Sequence, residues 1–461
     1  MSDVSSHRVA VIGAGITGAA AAHRLVQPDL AAEVASVVLF DCEDRVGGRI
    51  DGTSFAGLDC IDTGADAFLA RVPEAIGLAQ AVGLGDDLVH PERAGAAVWY
   101  DGLHDIPEGL VLGVPGNPIS LSRSGLISWR GKARAMLEPF LPRSSTNHDN
   151  IGTYMRSRFG DEVHERLVDA LIGSIYAADT DNFSLAEVPQ LATLANDRSL
   201  LLAARRIARH SAGTASASAA PIFGAPRGGM RQLVQATVKT FEQHGGNVRL
   251  GQEIGLERTG SGWQVGGDDF DTVICAVPAD RAAQLLADFP ASTHGTDRAD
   301  VVMVTLHVSD DEFPDRLRGR SGYLVPKPVQ RDVTAASFGS QKWAHWVPPG
   351  GGQILRVSLG RDGAPVLHLN DDDIVARTLD DLRRHLGVTF SPSEVRLTRW
   401  PGAFAQYRPH HRRWVDAVRS SLAPGIFVAG GSYDGIGIPA CIRSGRAIAE
   451  RSVSATSGLS P

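Results

Sequence analysis

Two glycine-rich turns lie near opposite ends of this chain, each leading from an apolar strand into a helix. Together they predict an α/β fold with a Rossmann-like dinucleotide-binding domain. Helical patterns dominate residues 73–210 and β-rich patterns dominate 291–399, which predicts a helical domain and a mixed α+β domain beside it. Of the 461 residues, 43% are hydrophobic and 21% charged, enough to fill a sizeable core. A net charge of −7 argues against nucleic acid as a partner, yet leaves room for a local arginine cluster to hold an anion. The four cysteines (Cys42, Cys60, Cys275, Cys441) lack metal-ligand spacing and read as buried thiols in a reducing, cytoplasmic setting. The N-terminus lacks a signal-peptide pattern, and no run of about 18 uncharged apolar residues offers a membrane span.

The elements follow in order. "RVAVIGAGITGAAAAHRLV" (8–26) reads as a buried strand, a glycine turn and an alanine-rich helix, and "ASVVLFD" (35–41) as a second strand ending in an acid. Helices are expected in "GLISWRGKARAMLEPFLP" (125–142) and "RFGDEVHERLVDALIGSIYAAD" (158–179), and the small-residue stretch 210–224 reads as a flexible loop. A helix over "MRQLVQATVKTFEQHG" (230–245) precedes strands in "NVRLGQEIGLER", "GWQVGG" and "DTVICAVP". The strands "VVMVTLHV", "SGYLVP" and "QILRVSLG" lead to a strong helix, "DDDIVARTLDDLRRHLG" (371–387). The chain closes with the strand "GIFVAG", the turn "GGSYDGIGIPACI" (430–442) and a helix carrying Pro439 in its first turn, where a missing N–H costs nothing.

Gly13, Gly15 and Gly18 form G-x-G-x-x-G between the first strand and helix. The first permits a tight turn, the second lets backbone approach a pyrophosphate, and the third allows the helix to pack on the strand. A glycine fingerprint alone is also compatible with a ligand-free turn. Here the strand, the helix and Asp41, placed where a ribose-binding acid belongs, favour a dinucleotide. "DRVGGRI" (44–50) then adds a second phosphate-contacting turn, with two glycines between Arg45 and Arg49. A plain NAD enzyme has no need of one at this point, so FAD is favoured. By the chain's resemblance to the FAD-binding amine oxidase superfamily, the glycines of 430–437 would let backbone lie against the flavin, with the last helix aiming its positive end at the ring.

With "DTGADAFLARVPEA", "PRGGMRQLV", "KWAH", "RWPGAFAQYRPHH" and "SYDGIGIPACI", these motifs resemble the porphyrinogen oxidases of the FAD-dependent amine oxidase superfamily, in family order and almost end to end. "GSIYAAD", "QYRPHH" and "SYDGIGIPACI" are the specific ones; the two glycine motifs alone mark only a flavoprotein. The resemblance implies an oxygen-dependent FAD oxidoreductase of haem biosynthesis that converts coproporphyrinogen III to coproporphyrin III. Hydride would pass from a ring carbon to flavin N5, and dioxygen would reoxidise the flavin with release of hydrogen peroxide, in three cycles. No catalytic side chain and no metal are expected.

By the same resemblance, FAD contacts fall on Gly13, Gly15, Ile16, Thr17, Gly18, Asp41, Cys42, Arg45, Gly48 and Arg49. They continue through Gly64, Ala65, Asp66, Ala67, Ile254, Trp400, Gly430, Asp434, Ile436, Gly437 and Ile438. Arg71 is the expected propionate partner, with Gly173, Ile175 and Tyr176 lining the pocket and Tyr323 packing on the macrocycle. Arg130, Lys132, Arg134, Arg205 and Arg206 are further cations within reach of the sequence argument. Trp400, Tyr176 and Tyr323 read equally well as core aromatics. Ser174 and Ala178 replace glycines common in the family, His410 stands where glycine commonly precedes His411, and Gly431 replaces an alanine.

The FAD-binding domain would then comprise 1–72, 224–290 and 400–461. Residues 73–210 would form the mainly helical domain on the membrane or substrate-entry side, and 291–399 a β-rich substrate domain. Other readings stay open: a protoporphyrinogen IX oxidase, an amine oxidase or carotenoid desaturase of the same fold, or a non-enzymatic protein like the GDP-dissociation inhibitors. A ferrochelatase partner, a peripheral membrane contact and the oligomeric state are left open by the sequence.

Overall fold

The architecture is that of a computed structural model, which describes residues 7–92, 94–142, 149–213, 221–260, 262–286, 289 and 295–457. Five strands from widely separated parts of the chain form one parallel sheet. Its order is Asn247–Arg249, Ser36–Phe40, Arg8–Ile12, Thr272–Cys275, Ile426–Val428. All but the edge strand Asn247–Arg249 are largely hydrophobic because helices cover the sheet, as parallel pairing requires. The first helix (Ile16–Leu25) lies between the helix Met230–Gln243 and the last helix (Ile438–Ser457). Its alanines bring backbones together: a Cβ on Gly445 would sit 2.2 Å from the Thr17 carbonyl oxygen.

A second sheet has seven strands, in the order Glu394–Ala405, Arg298–Val308, Gln353–Leu359, Val333–Phe338, Arg320–Leu324, Gly95–Trp99, Leu103–Asp105. Pairing is antiparallel except between Arg320–Leu324 and Gly95–Trp99. The helix Asp371–Leu386 packs on this sheet through Ile374, Leu382 and Leu386. Asn370 caps its N-terminus, three aspartates sit in the first turn and Arg383, Arg384 and His385 in the last, as the helix dipole favours. Gly387 at φ +64° ends it.

The segment 73–210, expected to be mainly helical, also contributes strands: Gly95–Trp99 and Leu103–Asp105 form a hairpin in the large sheet. "GAAVWYDGLHD" contains the signal: Asp101 and Gly102 both take positive φ, the conformation a tight hairpin turn demands. The helix expected over 158–179 is broken at Gly160 (φ +83°) and resumes at Asp161, with a π-turn at His164–Val168 before Asp169–Tyr176. The other expected helix is shorter, running from Trp129 to Met136. Met155, Phe159, Leu167, Ile172, Phe183 and Leu191 form the core of this helical region. Of the loop expected at 210–224, residues 214–220 lie outside the described residues; the helix Leu200–Gly213 takes its start and the strand Phe223–Pro226 its end. No described helix is long and apolar enough to cross a membrane.

Candidate functional site

The C-terminal edge of the parallel sheet gathers the glycine motifs. Gly13 turns at φ +105°, and its amide donates to the Phe40 carbonyl at 2.7 Å. A Cβ on Gly18 would lie 1.8 Å from the Gly13 oxygen, so that glycine lets the helix sit directly on the turn. Gly15 differs: a Cβ there would meet nothing within 4 Å. It occupies the N-cap position at φ −70°, with no side-chain cap over the helix behind it. The first turn therefore presents the Ile16, Thr17 and Gly18 amides and a positive dipole end to open space, a cradle for phosphate.

The second turn closes on the first. The Gly47 amide donates to the Ala14 carbonyl at 2.9 Å, Gly48 faces Gly15, and the Arg45 guanidinium donates to the Gly48 carbonyl at 2.9 Å. Arg45 also pairs with Glu43 at 3.1 Å, so it braces the turn. Asp41 accepts from the amides of Ala14 (2.6 Å) and Glu43 (2.9 Å), locking both turns to the end of the second strand. Cys42 is exposed rather than buried, because it follows that strand at the surface. Ile254 is half-buried beside this corner, where the Gly251 amide reaches the Glu43 carbonyl at 2.8 Å.

Three further segments converge on one turn. A Cβ on Gly64 would meet the Arg49 carbonyl oxygen at 2.6 Å and the Trp400 ring at 3.6 Å. The Trp400 indole N–H donates to the Thr63 carbonyl at 3.0 Å, and Arg49 donates to the Ala403 carbonyl at 2.9 Å. Burial, with Arg298 nearby, lowers the Arg49 pKa to about 10, so it stays cationic at neutral pH. Ala65 is exposed and Ala67 packs against the core below. Asp66 turns away into the protein, accepting from Lys342 (2.7 Å) and the Trp343 indole (3.2 Å). Burial opposes its ionisation, but Lys342 and Arg356 hold its carboxyl well below the usual range.

The C-terminal turn completes the arrangement. Gly430, at φ +110°, faces the Thr17 hydroxyl, where a Cβ would lie at 3.1 Å. Its amide donates to Ser444 Oγ, which donates to Asp434 at 2.6 Å; Arg419 donates to the same carboxylate oxygen at 2.7 Å. Asp434 is thus the anchor of this turn. Gly431 offers its carbonyl to the Tyr407 hydroxyl at 2.5 Å. Ile436 is half-buried, Gly437 exposed, and Ile438 buried at the start of the last helix.

On the substrate side, Arg71 is exposed and has no ion pair or hydrogen bond among the described residues. Ile175 is 47% exposed. Tyr176 is half-buried and packs on Phe183 at 5.0 Å; burial and the Glu187 charge push its hydroxyl up to about 12. Gly173 does not line open space: a Cβ there would strike the Arg361 guanidinium at 2.5 Å. Arg361 is buried against Asp169 at 2.9 Å and also donates to the Ala178 carbonyl. Ser174 is accommodated by donating back to the Ala170 carbonyl at 2.7 Å. His410 takes φ +69°, the left-handed conformation that glycine adopts most readily. Arg134 is occupied by the Ser157 and Arg158 carbonyls and Arg206 pairs with Asp197, while Arg130 stacks on the exposed Trp129. Lys132 and Arg205 are half-buried on neighbouring helices.

Tyr323 is not brought to this group. It is buried in the core between the seven-stranded sheet and the helix Asp371–Leu386, its hydroxyl 3.1 Å from His385 Nδ1. Two features escaped the sequence reading. Arg356 is buried in the strand Gln353–Leu359 and donates to the Gly64 carbonyl; a cation inside the apolar run "QILRVSL" was its only signal. "KWAH" supplies the Lys342 and Trp343 contacts to Asp66, which its resemblance alone did not assign.

An open, uncapped helix start braced by two glycine turns, with a buried cation at the far end, fits a dinucleotide carrying a flavin. The chain belongs to the flavin-containing amine oxidoreductase family, whose model matches residues 16–452. Its cofactor is FAD, and it is an oxidoreductase. Within that family it is 32% identical to a coproporphyrinogen III oxidase from Bacillus subtilis (strain 168), over 97% of this chain and 98% of the other. It is 33% identical to a coproporphyrinogen III oxidase from Mycobacterium tuberculosis (strain ATCC 25618 / H37Rv), over 95% and 96%. Among solved structures it matches a protein of Exiguobacterium sp. 255-15, provisionally named a protoporphyrinogen oxidase, with a TM-score of 0.83 and 26% identity, over 98% of this chain and 100% of the other.

Proposed function

We propose that this chain oxidises coproporphyrinogen III to coproporphyrin III in haem biosynthesis, with dioxygen as acceptor and hydrogen peroxide as co-product. The observation that carries the reading is the end-to-end similarity to two bacterial coproporphyrinogen III oxidases. When bound, FAD supplies the hydride acceptor and the route of electrons to dioxygen. The chain's own residues bind and orient. Gly15, the first-helix amides and the Gly47–Gly48 turn hold the pyrophosphate, with Asp41 and Ile254 at the adenosine end. Arg49, Gly64, Trp400 and the Gly430–Ile438 turn flank the ring. The buried Arg49 charge and the start of the last helix favour negative charge there. Ile175 and Tyr176 border the macrocycle.

Arg71 pairs with a propionate. Arg71→Ala is expected to raise KM about tenfold while changing kcat little, because the contact is made equally in ground and transition states. Steady-state assays by porphyrin fluorescence would read this; an unchanged KM would remove Arg71 from the substrate site.

The likeness to the Exiguobacterium structure favours protoporphyrinogen IX as the second reading. Assaying the flavin-loaded protein on both porphyrinogens in aerated buffer, against a no-enzyme control, separates them. Faster oxidation of protoporphyrinogen would overturn the substrate assignment. No enzyme-dependent signal from either would overturn the porphyrinogen reading. Delivery of product to a ferrochelatase belongs to the same reading; diversion of coproporphyrin by an added trap before chelation would count against it. The exposed Trp129 (73%), Leu137 (55%) and Phe140 (81%), next to Arg130, support a peripheral contact with an anionic membrane. Co-flotation with phosphatidylglycerol vesicles that is lost in Phe140→Ser is the expected result, and no flotation of the parent protein would refute it.

A further inference from the structure

A cavity of about 310 Å³ lies away from the glycine motifs and is lined by Leu103, Arg316, Arg320 and His385. It sits between the edge of the seven-stranded sheet and the C-terminal end of the helix Asp371–Leu386. Successive strand side chains alternate faces. Arg399 reaches that helix at Asp371 (2.6 Å), whereas Trp400 turns the opposite way to Thr63. The cavity is therefore on the helix-covered side of the sheet, remote in layer from the flavin turns.

His385 is 5% exposed and packs against Trp99, ring centres 4.3 Å apart and the planes tilted by 46°. Its Nδ1 is 3.1 Å from the Tyr323 hydroxyl. That hydroxyl has no other acceptor among the described residues, so it donates and Nδ1 accepts. Burial lowers the His385 pKa to about 4, so at neutral pH its one ring proton rests on Nε2. Nε2 is buried and has no hydrogen-bond partner among the described residues. A buried N–H donor without an acceptor is the feature a ligand oxygen would satisfy.

The charges around it are mostly positive. Arg316 is held in place by donating to the Leu386 carbonyl. Among the described residues Arg320 pairs only with Asp105, whose side chain is 75% exposed and free to yield to a stronger partner. Arg384 lies over the Trp99 ring, and Asp381, the nearest buried acid, is occupied by the Asp332 and Val333 amides.

We infer that this cavity binds phosphate or a small phosphate ester, received by His385 Nε2–H, Arg316 and Arg320. A phosphoryl group presents three or more acceptor oxygens to three donors arriving from different elements, whereas a carboxylate presents two. The volume admits a phosphoryl group with a small substituent. The oxidase chemistry makes no use of this site.

The test is calorimetric titration of the FAD-saturated protein, its dinucleotide site filled, with inorganic phosphate and with glycerol 3-phosphate at constant ionic strength. Saturable binding of one anion per chain is expected, weakened about tenfold or more by Arg320→Gln and by Arg316→Gln, and unchanged by Arg71→Ala. Tighter binding of glycerol 3-phosphate identifies an ester site, and equal affinity a site for the free ion. Absence of saturable binding, or binding that survives both arginine variants, overturns the inference. Arg320 is partly exposed, so its variant keeps the test open even where Arg316→Gln fails to fold.

Discussion

Gly15→Ala is expected to fold normally and lose at least about 100-fold in FAD affinity, on the order of 3 kcal/mol. A Cβ at this position meets no protein atom within 4 Å, and the backbone at φ −70° suits alanine. The methyl group therefore harms nothing except what approaches the amides behind it. Gly18→Ala is its counterpart: there the Cβ would lie 1.8 Å from the Gly13 oxygen, and the first helix could not seat on its sheet. Flavin-fluorescence titration of apoprotein, beside far-UV circular dichroism, distinguishes them. The first variant should be folded and colourless, the second misfolded. A Gly15→Ala protein that binds FAD like the parent would remove this turn from the cofactor site.

Glu138→Ala is expected to destabilise the helical region by about 3–5 kcal/mol. Glu138 is fully buried and its carboxylate accepts from Arg158 Nε (2.8 Å), the Ser199 hydroxyl, and the Leu200 (3.0 Å) and Leu201 (3.3 Å) amides. It thus neutralises a cation and caps the helix Leu200–Gly213 at once. Alanine leaves Arg158 buried beside backbone carbonyls, those of Pro142, Arg198 and residue 138 itself, with no counter-charge from position 138, and leaves helix amides unanswered. Hydrogen exchange is the suitable probe, since a chain with several cores need not unfold in one step. Protection should fall across 150–213 and hold in the parallel sheet. A loss below about 1 kcal/mol, the scale of a surface ion pair, would show that water replaces the carboxylate.

The parts legible in the sequence are those where backbone geometry admits one residue type. Gly13 and Gly18 announce a turn because any Cβ collides with neighbouring backbone, and Asp41 announces a strand end because its carboxylate serves the amides of both turns. The faces of the large sheet were less legible. In "SGYLVP" the alternation separates Tyr323 from Gly322 and Leu324, but nothing local says which face a helix will cover. Tyr323 consequently belongs to a core, not to a substrate pocket. Gly173 misled for the opposite reason. Its smallness serves the Arg361 guanidinium, contributed by a residue 188 positions later, which no spacing within "GSIYAAD" encodes. The hairpin at 95–105 was hidden by alanines, and only Asp101-Gly102 marked it.

The strand order of the parallel sheet has a consequence for how the protein is made. The strand Arg8–Ile12 sits at the centre, yet Thr272–Cys275 beside it and Ile426–Val428 at the edge arrive far later in the chain. At about 5–20 residues per second, a ribosome takes roughly 20–80 s between the first strand and the last. Throughout that time the nascent domain carries a hydrophobic, unpaired strand edge, which is the kind of surface that recruits other chains. Flavin capture, which draws on glycines from both ends, can come only after the Gly430 turn has been made, so FAD binds late and secures a sheet whose last strand is already in place.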